Sequence, residues 1–198
     1  MKKLSHPLKR KIAEKKIVGF DMDGVIIDHT KTRIKLAKKR GFNLKPKETP
    51  SDILRTKIPQ IERKLIQYFI YNHPATSLRS SLMPRVKNAL ARFKKSKISY
   101  HLISRRKDPE LAIKILKLNN LWPVYFNAKN THFVATPEEK NIKAQALNLT
   151  HYVDDEKSVL AELTNVKNRF LFDQYNVLGE GDYVRVKSWP ELTKYLLN

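Results

Sequence analysis

Short runs of hydrophobic residues, each ending at a polar or acidic residue, recur four times along the chain. They are rich in β-branched and aromatic residues and are shorter than typical helices. Such runs are typical of strands buried on both faces of a parallel sheet. The four runs are Ile17–Phe20 before Asp21, Ile98–Ile103 before Ser104, His151–Val153 before Asp154, and Phe170–Phe172 before Asp173.

Hydrophobic residues at helical spacing occupy the segments between and after these runs. Strands that alternate with helices predict right-handed βαβ units, and therefore a doubly wound, Rossmann-like α/β fold with a parallel sheet. The predicted elements are a helix containing Val86, Leu90 and Phe93 with Pro84 in its first turn, a helix over Leu111–Leu118 capped by Asp108, a helix from Pro137 to about Leu147 capped by Thr136, a helix over Glu156–Leu163, a last short strand at Tyr183–Val186, and a closing helix from Trp189 to Leu197.

One long segment breaks this alternation. From about Thr30 to Ser81 the hydrophobic spacing is helical, no strand is evident, and four prolines punctuate the pattern. We therefore predict a small helical cap over residues 30–81, inserted after the first strand. Residues 1–29 and 82–198 would then form the α/β core.

The composition narrows the functional classes. The apolar fraction of 41% in 198 residues allows one domain with a proper core and a modest insertion. There is no cysteine, which excludes disulfides, thiolate nucleophiles and zinc-thiolate sites. No apolar run is long enough for a membrane span or a signal peptide, so we expect a cytoplasmic protein without a membrane partner.

The charge is unusual, because 40 Lys+Arg against 19 Asp+Glu give a net charge of +21. An excess of this size attracts phosphates, nucleic acid or anionic membranes. The lysines are spread along the whole chain, which favours a general compositional bias over a dedicated patch. The charge alone therefore leaves both interpretations open.

The polar residues that end the four runs carry the candidate chemistry. In a doubly wound sheet, ligands bind at the carboxyl edge of the strands. We therefore expect Asp21, Ser104, Asp154 and Asp173 to converge in space, although they are far apart in the sequence.

The segment Asp21-Met22-Asp23-Gly24 follows the first strand directly. Taken alone, two acids before a glycine could be a solvated turn. In the functional interpretation the Asp21 carboxylate attacks phosphorus and forms an aspartyl-phosphate. Asp23 then protonates the leaving oxygen and later deprotonates the attacking water. Gly24 would let the backbone turn tightly and bring its amide groups close to the phosphate.

Two further positions are predicted to bind the phosphate. The hydroxyl of Ser104 and the backbone amide of the next residue, Arg105, would hold a phosphate oxygen in the transition state. A lysine is needed to neutralise the charge shared by nucleophile and phosphate. Lys140 lies in the first turn of its predicted helix and is preferred, and Lys143, one turn later, remains an alternative.

The adjacent acids Asp154 and Asp155 favour a metal site. Neighbouring carboxylates repel one another unless a cation lies near them. Hard oxygen ligands of this kind suit Mg²⁺, which also binds substrate phosphate. A magnesium ion would offset the charge of Asp21, Asp154 and Asp155 and permit attack on an anionic phosphate.

In this order, these residues resemble the motifs of the haloacid dehalogenase (HAD) superfamily. Asp21 to Val25 is similar to its first motif, Ser104 to its second, Lys140 to its third, and Asp154-Asp155 to its fourth. The resemblance implies a magnesium-dependent phosphatase, because the acid at Asp23 is the pattern of the phosphatases and not of the dehalogenases. It also implies magnesium held by Asp21, the backbone carbonyl of Asp23, and Asp154, with Asp155 beside them, and the predicted insertion occupies the place of that superfamily's small helical cap.

A narrower similarity lies in the C-terminal part of the chain. Phe172–Asn176 and Arg185–Trp189 resemble segments of the 5'(3')-deoxyribonucleotidase family, as does the run Asp21–Asp28. This resemblance implies a nucleoside monophosphate as substrate. Three aromatic residues of the predicted insertion are candidates for a base pocket or for helix packing: Tyr68, Phe69 and Tyr71.

Two other hypotheses remain open at this point. The net charge and the pair Arg105–Arg106 are consistent with a nucleic-acid end phosphatase, whose binding would weaken steeply with salt. Alternatively, the chain is a binding module that keeps the fold without turnover.

Overall fold

A computed structural model describes residues 15–197, so residues 1–14 and Asn198, which belong to the predicted core segments, lie outside the described part. The strands are β1 (Ile17–Phe20), β2 (Ile27–Asp28), β3 (Ser81–Leu82), β4 (Ser99–Ser104), β5 (Thr131–Phe133), β6 (His151–Asp154), β7 (Asn168–Phe172) and β8 (Val184–Val186). The helices are α1 (Thr30–Lys39), α2 (Ser51–Lys57), α3 (Gln60–Tyr71), α4 (Pro74–Ser77), α5 (Val86–Lys95), α6 (Pro109–Leu118), α7 (Pro137–Ala146), α8 (Lys157–Glu162) and α9 (Trp189–Leu197), with a 3₁₀ turn at Pro46–Glu48.

Six parallel strands form one sheet in the order β5-β4-β1-β6-β7-β8. Strand β1 lies at the centre, between β4 and β6. The order reverses there, which is where doubly wound sheets bind ligands. The predicted α/β fold with a parallel sheet is confirmed, and the four predicted runs are strands β1, β4, β6 and β7.

Both predicted N-cap residues are confirmed, and the predicted place of Pro84 is wrong. The Asp108 carboxylate accepts the amide of Leu111, and the Thr136 hydroxyl accepts the amide of Glu139, as N-caps do. Pro84 does not lie in the first turn of α5, because Arg85 follows it with a left-handed backbone (φ 68°) and the helix begins only at Val86.

Hydrophobic clusters cover both faces of the sheet. One cluster contains Phe20, Phe93 and Trp189, whose rings contact one another. The indole N–H of Trp189 donates to the carbonyl of Val25 at 2.8 Å, so the closing helix α9 fixes the backbone just after the Asp21–Gly24 turn. The second cluster packs around Tyr152 on the other face.

Along the chain, helices α1 to α4 come between β2 and β3, two strands that pair with each other as a short antiparallel ribbon. In this ribbon Ile27 pairs with Leu82 and Asp28 with Ser81. The helices have a hydrophobic cluster of their own around Ile66 and Ile70. We call this segment, residues 30–80, the helical insertion. None of the helices described within residues 15–197 has the length and apolar character to cross a membrane.

Candidate active site

Three of the four predicted strand ends surround one point at the carboxyl edge of the sheet. Asp21 follows β1, and β4 and β6, which end at Ser104 and Asp154, are its two neighbours. Neighbouring strands are about 4.8 Å apart, so side chains at these ends are within reach of each other.

The fourth strand end, Asp173, does not join them. Its strand β7 is separated from β1 by β6. The carboxylate instead accepts the amides of Val177 (3.1 Å) and Leu178 (2.9 Å) and is completely buried there. The prediction that Asp173 converges with the others is therefore wrong, since two strand spacings separate it from the centre and its own loop binds it.

Lys140 links two of the acids directly. Its Nζ lies 2.7 Å from Oδ1 of Asp21 and 2.9 Å from Oδ2 of Asp154, and its side chain is fully buried. Burial raises the pKa of Asp21 to about 7, although Lys140 opposes this shift. The structure thus places Lys140 beside Asp21 and Asp154, whereas Lys143 forms no ion pair with these acids in the described part of the chain.

Asp155 completes an acidic group that could hold a metal ion. One carboxylate oxygen each of Asp21, Asp154 and Asp155 lies within 4.8 Å of the others. Burial and the neighbouring carboxylates of Glu156 and Asp154 hold the pKa of Asp155 well above its usual range. Among residues 15–197 no cation lies within ion-pair distance of Asp155, so a hard cation such as Mg²⁺ fits this donor set.

Gly24 makes room for this acid. It has a left-handed φ of 89°, and a Cβ atom at this position would lie 2.1 Å from Oδ2 of Asp155. Its amide donates to the carbonyl of Ile27 at 2.9 Å. The amide predicted to approach a phosphate is therefore engaged within the turn, and the structure gives Gly24 a steric role beside Asp155.

The second acid of the turn, Asp23, is held by two residues that sequence reasoning missed. Arg106 contacts it through both Nε (2.8 Å) and Nη2 (2.6 Å), and Nε2 of His29 lies 2.6 Å from Oδ1. Burial raises the pKa of Asp23, but Arg106 and His29 outweigh this effect and hold it well below its usual range. In this arrangement Asp23 is ionised and accepts hydrogen bonds from Arg106.

Arg106 also connects this turn to the helical insertion. Its Nη1 donates to the carbonyl of Tyr71 (2.8 Å) and to the hydroxyl of Ser77 (2.9 Å). The side chain is almost completely buried, so a single guanidinium ties β4, the Asp21–Gly24 turn and the insertion together. In the sequence the pair Arg105–Arg106 indicates only charge, and His29 carries no signal at all.

The two predicted phosphate-binding residues at the end of β4 differ in position. Ser104 is buried, and its Oγ accepts the amide of Arg106 at 3.2 Å. Arg105 is partly exposed and forms an ion pair with Glu156 at 2.9 Å.

A cavity of about 400 Å³ opens above these residues, between the sheet edge and the insertion. Five acids line it, and we call them the acidic cluster: Asp21, Asp23, Asp154, Asp155 and Glu156. The loop after β4 contributes Arg105, Arg106 and Lys107. The insertion contributes Ser51, Lys64, Gln67, Tyr68, Tyr71 and Asn72.

The three aromatic candidates of the insertion have different surroundings. The hydroxyl of Tyr71 accepts from Arg33 at 2.9 Å, and its ring contacts His29 and Arg106. Phe69 packs against His73 and edge-on against Tyr68, and it does not line the cavity. Tyr68 lines the cavity and is 52% exposed, so of the three it is the one whose ring is available to a ligand.

No family model matches this chain, and no curated protein matches it. Solved structures do match. A HAD family hydrolase from Deinococcus radiodurans R1, with bound phosphate and sodium, has a TM-score of 0.61 at 14% identity, covering 91% of this chain and 94% of that one. A HAD hydrolase, family IA, variant 3, from Entamoeba histolytica has a TM-score of 0.61 at 15% identity, covering 92% and 100%. A predicted phosphoglycolate phosphatase from Haemophilus somnus 129PT has a TM-score of 0.59 at 14% identity, covering 93% and 99%.

These similarities define the fold class. The chain has the α/β fold of HAD hydrolases over more than nine tenths of its length. At this level of identity the likeness concerns the fold, and the chemistry has to be argued from the residues of the site.

Proposed function

We propose that this protein is a magnesium-dependent phosphomonoester hydrolase that works through an aspartyl-phosphate on Asp21. The observation that carries the proposal is the position of Asp21, at the centre of the carboxyl edge, with Lys140 bridging it to Asp154. The fold supports it, because one structure with this fold holds phosphate and another is described as a predicted phosphoglycolate phosphatase.

In the first half of the reaction, a carboxylate oxygen of Asp21 attacks phosphorus and the ester oxygen leaves. The amide of Asp23 donates to Oδ2 of Asp21 at 2.8 Å and Lys140 to Oδ1, so the nucleophile is fixed in orientation. Lys140, the Ser104 hydroxyl and Arg105 are the groups that we assign to the negative charge of the phosphoryl oxygens.

The metal would be held by Asp21, Asp154 and Asp155, together with the backbone carbonyl of Asp23. When bound, Mg²⁺ supplies the positive charge that lets an anionic carboxylate approach an anionic phosphate. The three carboxylates gathered within 4.8 Å support this assignment.

Asp23 is the proposed acid and base. In the first half-reaction its carboxyl proton goes to the leaving oxygen, and in the second half its carboxylate takes a proton from the water that attacks the aspartyl-phosphate. The first step needs a protonated Asp23, whereas the pair with Arg106 favours the ionised form. We therefore infer that the Asp23–Arg106 pair opens when substrate binds.

The proposed substrate class is nucleoside monophosphates. The exposed ring of Tyr68, facing the cavity, offers a surface on which a base can stack. In this proposal residues 30–81 act as a cap that closes over the substrate and excludes water.

A second candidate function is the removal of phosphate from nucleic-acid ends. The net charge of +21 and the cationic residues at the cavity favour it. It predicts a steep loss of substrate binding with added salt, since phosphate contacts release counterions. A flat salt profile together with a preference for mononucleotides would leave the nucleotidase.

The decisive experiment is phosphate release from a panel of nucleotides, sugar phosphates and end-phosphorylated oligonucleotides, with and without Mg²⁺. We expect Asp21→Asn to lower kcat by at least about 10⁴-fold, as removal of a nucleophile does. The matched control is Asp182→Asn, because its side chain is 94% exposed and outside the cavity. Full activity of Asp21→Asn, or of the wild-type protein in excess chelator, would contradict the proposal.

A further inference from the structure

The charged side chains around the cavity fall into two groups. In the first group every cation has an acidic partner: Lys140 pairs with Asp21 and Asp154, Arg106 with Asp23, and Arg105 with Glu156. These cations are satisfied without any ligand. These cations lie directly beside the acidic cluster.

The second group consists of Lys64 and Lys107, which we call the lysine pair. Both line the cavity and both are exposed. Within residues 15–197 neither forms an ion pair or a hydrogen bond, although twelve ion pairs involve other residues. One lysine comes from α3 and the other from the loop after β4, so two different elements present uncompensated charge to the same space.

The position of Lys64 along α3 separates it from the reacting end of the cavity. Lys64, Gln67, Tyr68 and Tyr71 have the spacing i, i+3, i+4 and i+7, and all four line the cavity, so one face of the helix is turned toward it. Tyr71 contacts Arg106, the partner of Asp23. With a rise of about 1.5 Å per residue, Lys64 is displaced from Tyr71 by roughly 10 Å along the helix axis.

We propose that the site prefers phosphomonoesters whose leaving group carries a second phosphate over the corresponding monophosphates, and that Lys64 and Lys107 bind this second phosphate. The inference rests on the proposed hydrolysis at Asp21. The transferred phosphoryl group is served by Lys140 and the metal ligands, whereas Lys64 lies two helical turns along α3 from Tyr71, the residue that contacts Arg106. A dianion matches two lysines, and the amides of Gln67 and Asn72, which also line the cavity, supply further donors.

Matched substrates test this inference. We compare adenosine 3',5'-bisphosphate with adenosine 5'-monophosphate, and glucose 1,6-bisphosphate with glucose 1-phosphate, at constant ionic strength. We expect kcat/KM to be at least about tenfold higher for the bisphosphate of the pair that fits, because charge-assisted hydrogen bonds contribute on this scale. The pair that shows the preference distinguishes a nucleotide from a sugar as the source of the second phosphate.

Lysine variants show whether the preference depends on these side chains. Lys64→Gln and Lys107→Gln should each remove most of the preference and leave kcat/KM for the monophosphate within about twofold. Lys95→Gln is the matched control, since Lys95 is an exposed lysine at the end of α5, which precedes β4 and therefore lies at the opposite edge of the sheet. Equal kcat/KM within both pairs would overturn the inference, as would an equal loss for monophosphate and bisphosphate in the two variants.

Binding separates this inference from the proposed reaction. The affinity of Asp21→Asn protein for the same four compounds is measured by calorimetry in the presence of Mg²⁺. If nothing is hydrolysed but a bisphosphate binds at least about tenfold more tightly in a lysine-dependent way, the second-phosphate site stands and the proposed reaction fails. Equal affinities within both pairs, with turnover by the wild-type protein, leave the reaction standing and reject the site.

Discussion

The acidic cluster and the lysine pair line the same cavity, but their charges are satisfied in opposite ways. Lys140 and Arg106, which partner the acidic cluster, are buried and each makes at least two contacts with carboxylates. Lys64 and Lys107 are exposed and have no such contact among the described residues. The fold therefore pairs the cations of the first group in the absence of a ligand, whereas the second group is free to respond to one.

This difference has an energetic consequence. A buried charge without a partner is costly, so removal of one member of a buried pair destabilises the protein by about 3–5 kcal/mol. An exposed charge is hydrated, and its removal changes stability by about 0.5 kcal/mol or less. Substitutions in the acidic cluster and its partners should thus alter folding, and substitutions at the exposed side chains should alter substrate preference alone.

The largest effect is expected at Lys140. Lys140→Met would leave the carboxylates of Asp21 and Asp154 buried without their cation, and we expect a loss of about 3–5 kcal/mol in the free energy of unfolding. The measurement is urea denaturation in the presence of chelator. Added Mg²⁺ should restore part of the loss, because it would bind the same carboxylates.

Lys143 provides the matched control, as a lysine one turn later on the same helix α7 that does not contact these acids. Lys143→Met should change the free energy of unfolding by about 0.5 kcal/mol or less. Equal losses of unfolding free energy in the two variants would show that the loss depends on the position on the helix and not on the pairing of Lys140.

The neighbouring arginines offer the same contrast across one peptide bond. Arg106 is 4% exposed and binds Asp23 through two nitrogens, whereas the Arg105 side chain is 34% exposed and pairs with Glu156. We expect Arg106→Gln to cost about 3 kcal/mol in the free energy of unfolding and Arg105→Gln less than about 1 kcal/mol. Chemical denaturation of both variants checks this, and the reverse order would contradict the contrast.

Gly24 tests the metal-binding part of the acidic cluster. Gly24 and Gly41 share a left-handed backbone, with φ of 89° and 86°, but an added Cβ would meet the Asp155 carboxylate at Gly24 and nothing within 4 Å at Gly41. Both Gly→Ala variants should lose about 1–2 kcal/mol of stability from backbone strain. Gly24→Ala alone should also weaken Mg²⁺ affinity by about 10- to 100-fold, as disturbance of groups around a metal site does. Magnesium titrations of activity or of binding that agree between the two variants would exclude this role for Gly24.

The same contrast explains how much of the molecule could be predicted from the sequence. Strands β1, β4 and β6 are continuous hydrophobic runs, and the topology brings their ends together, so Asp21, Ser104 and Asp154 were accessible to reasoning. Asp173 was misplaced because strand order, which no local pattern encodes, puts β7 two strands from β1. Strand β5 was missed because it has only three residues, all half-buried.

The partners of Asp23 could not be predicted for a different reason. Arg106 and His29 are identifiable as partners only once β4 and the ribbon strand β2 have been placed beside the turn. A buried arginine and an exposed one look alike in a chain with 40 Lys+Arg. Contacts between distant segments, and not local propensity, decide which positively charged residues pair with the acidic cluster.

The smallest effect is expected at Tyr68, which lies on the same face of α3 as Lys64. Tyr68 is 52% exposed and lines the cavity, so Tyr68→Ala should raise KM for adenosine 5'-monophosphate by about fivefold to tenfold through loss of stacking, with kcat unchanged. Tyr68→Phe keeps the ring and should keep KM. Leu65→Ala, on the same helix and outside the cavity, is the control for changes in helix packing. Because a ring that stacks on a base has no comparable partner in a sugar, KM for glucose 1-phosphate should stay constant in all three variants. An equal rise in KM for both substrates would show that Tyr68 supports the packing of the helix and does not stack on the base. The contrast between a paired acidic cluster and a surface that responds to the substrate would then not extend to this face of α3.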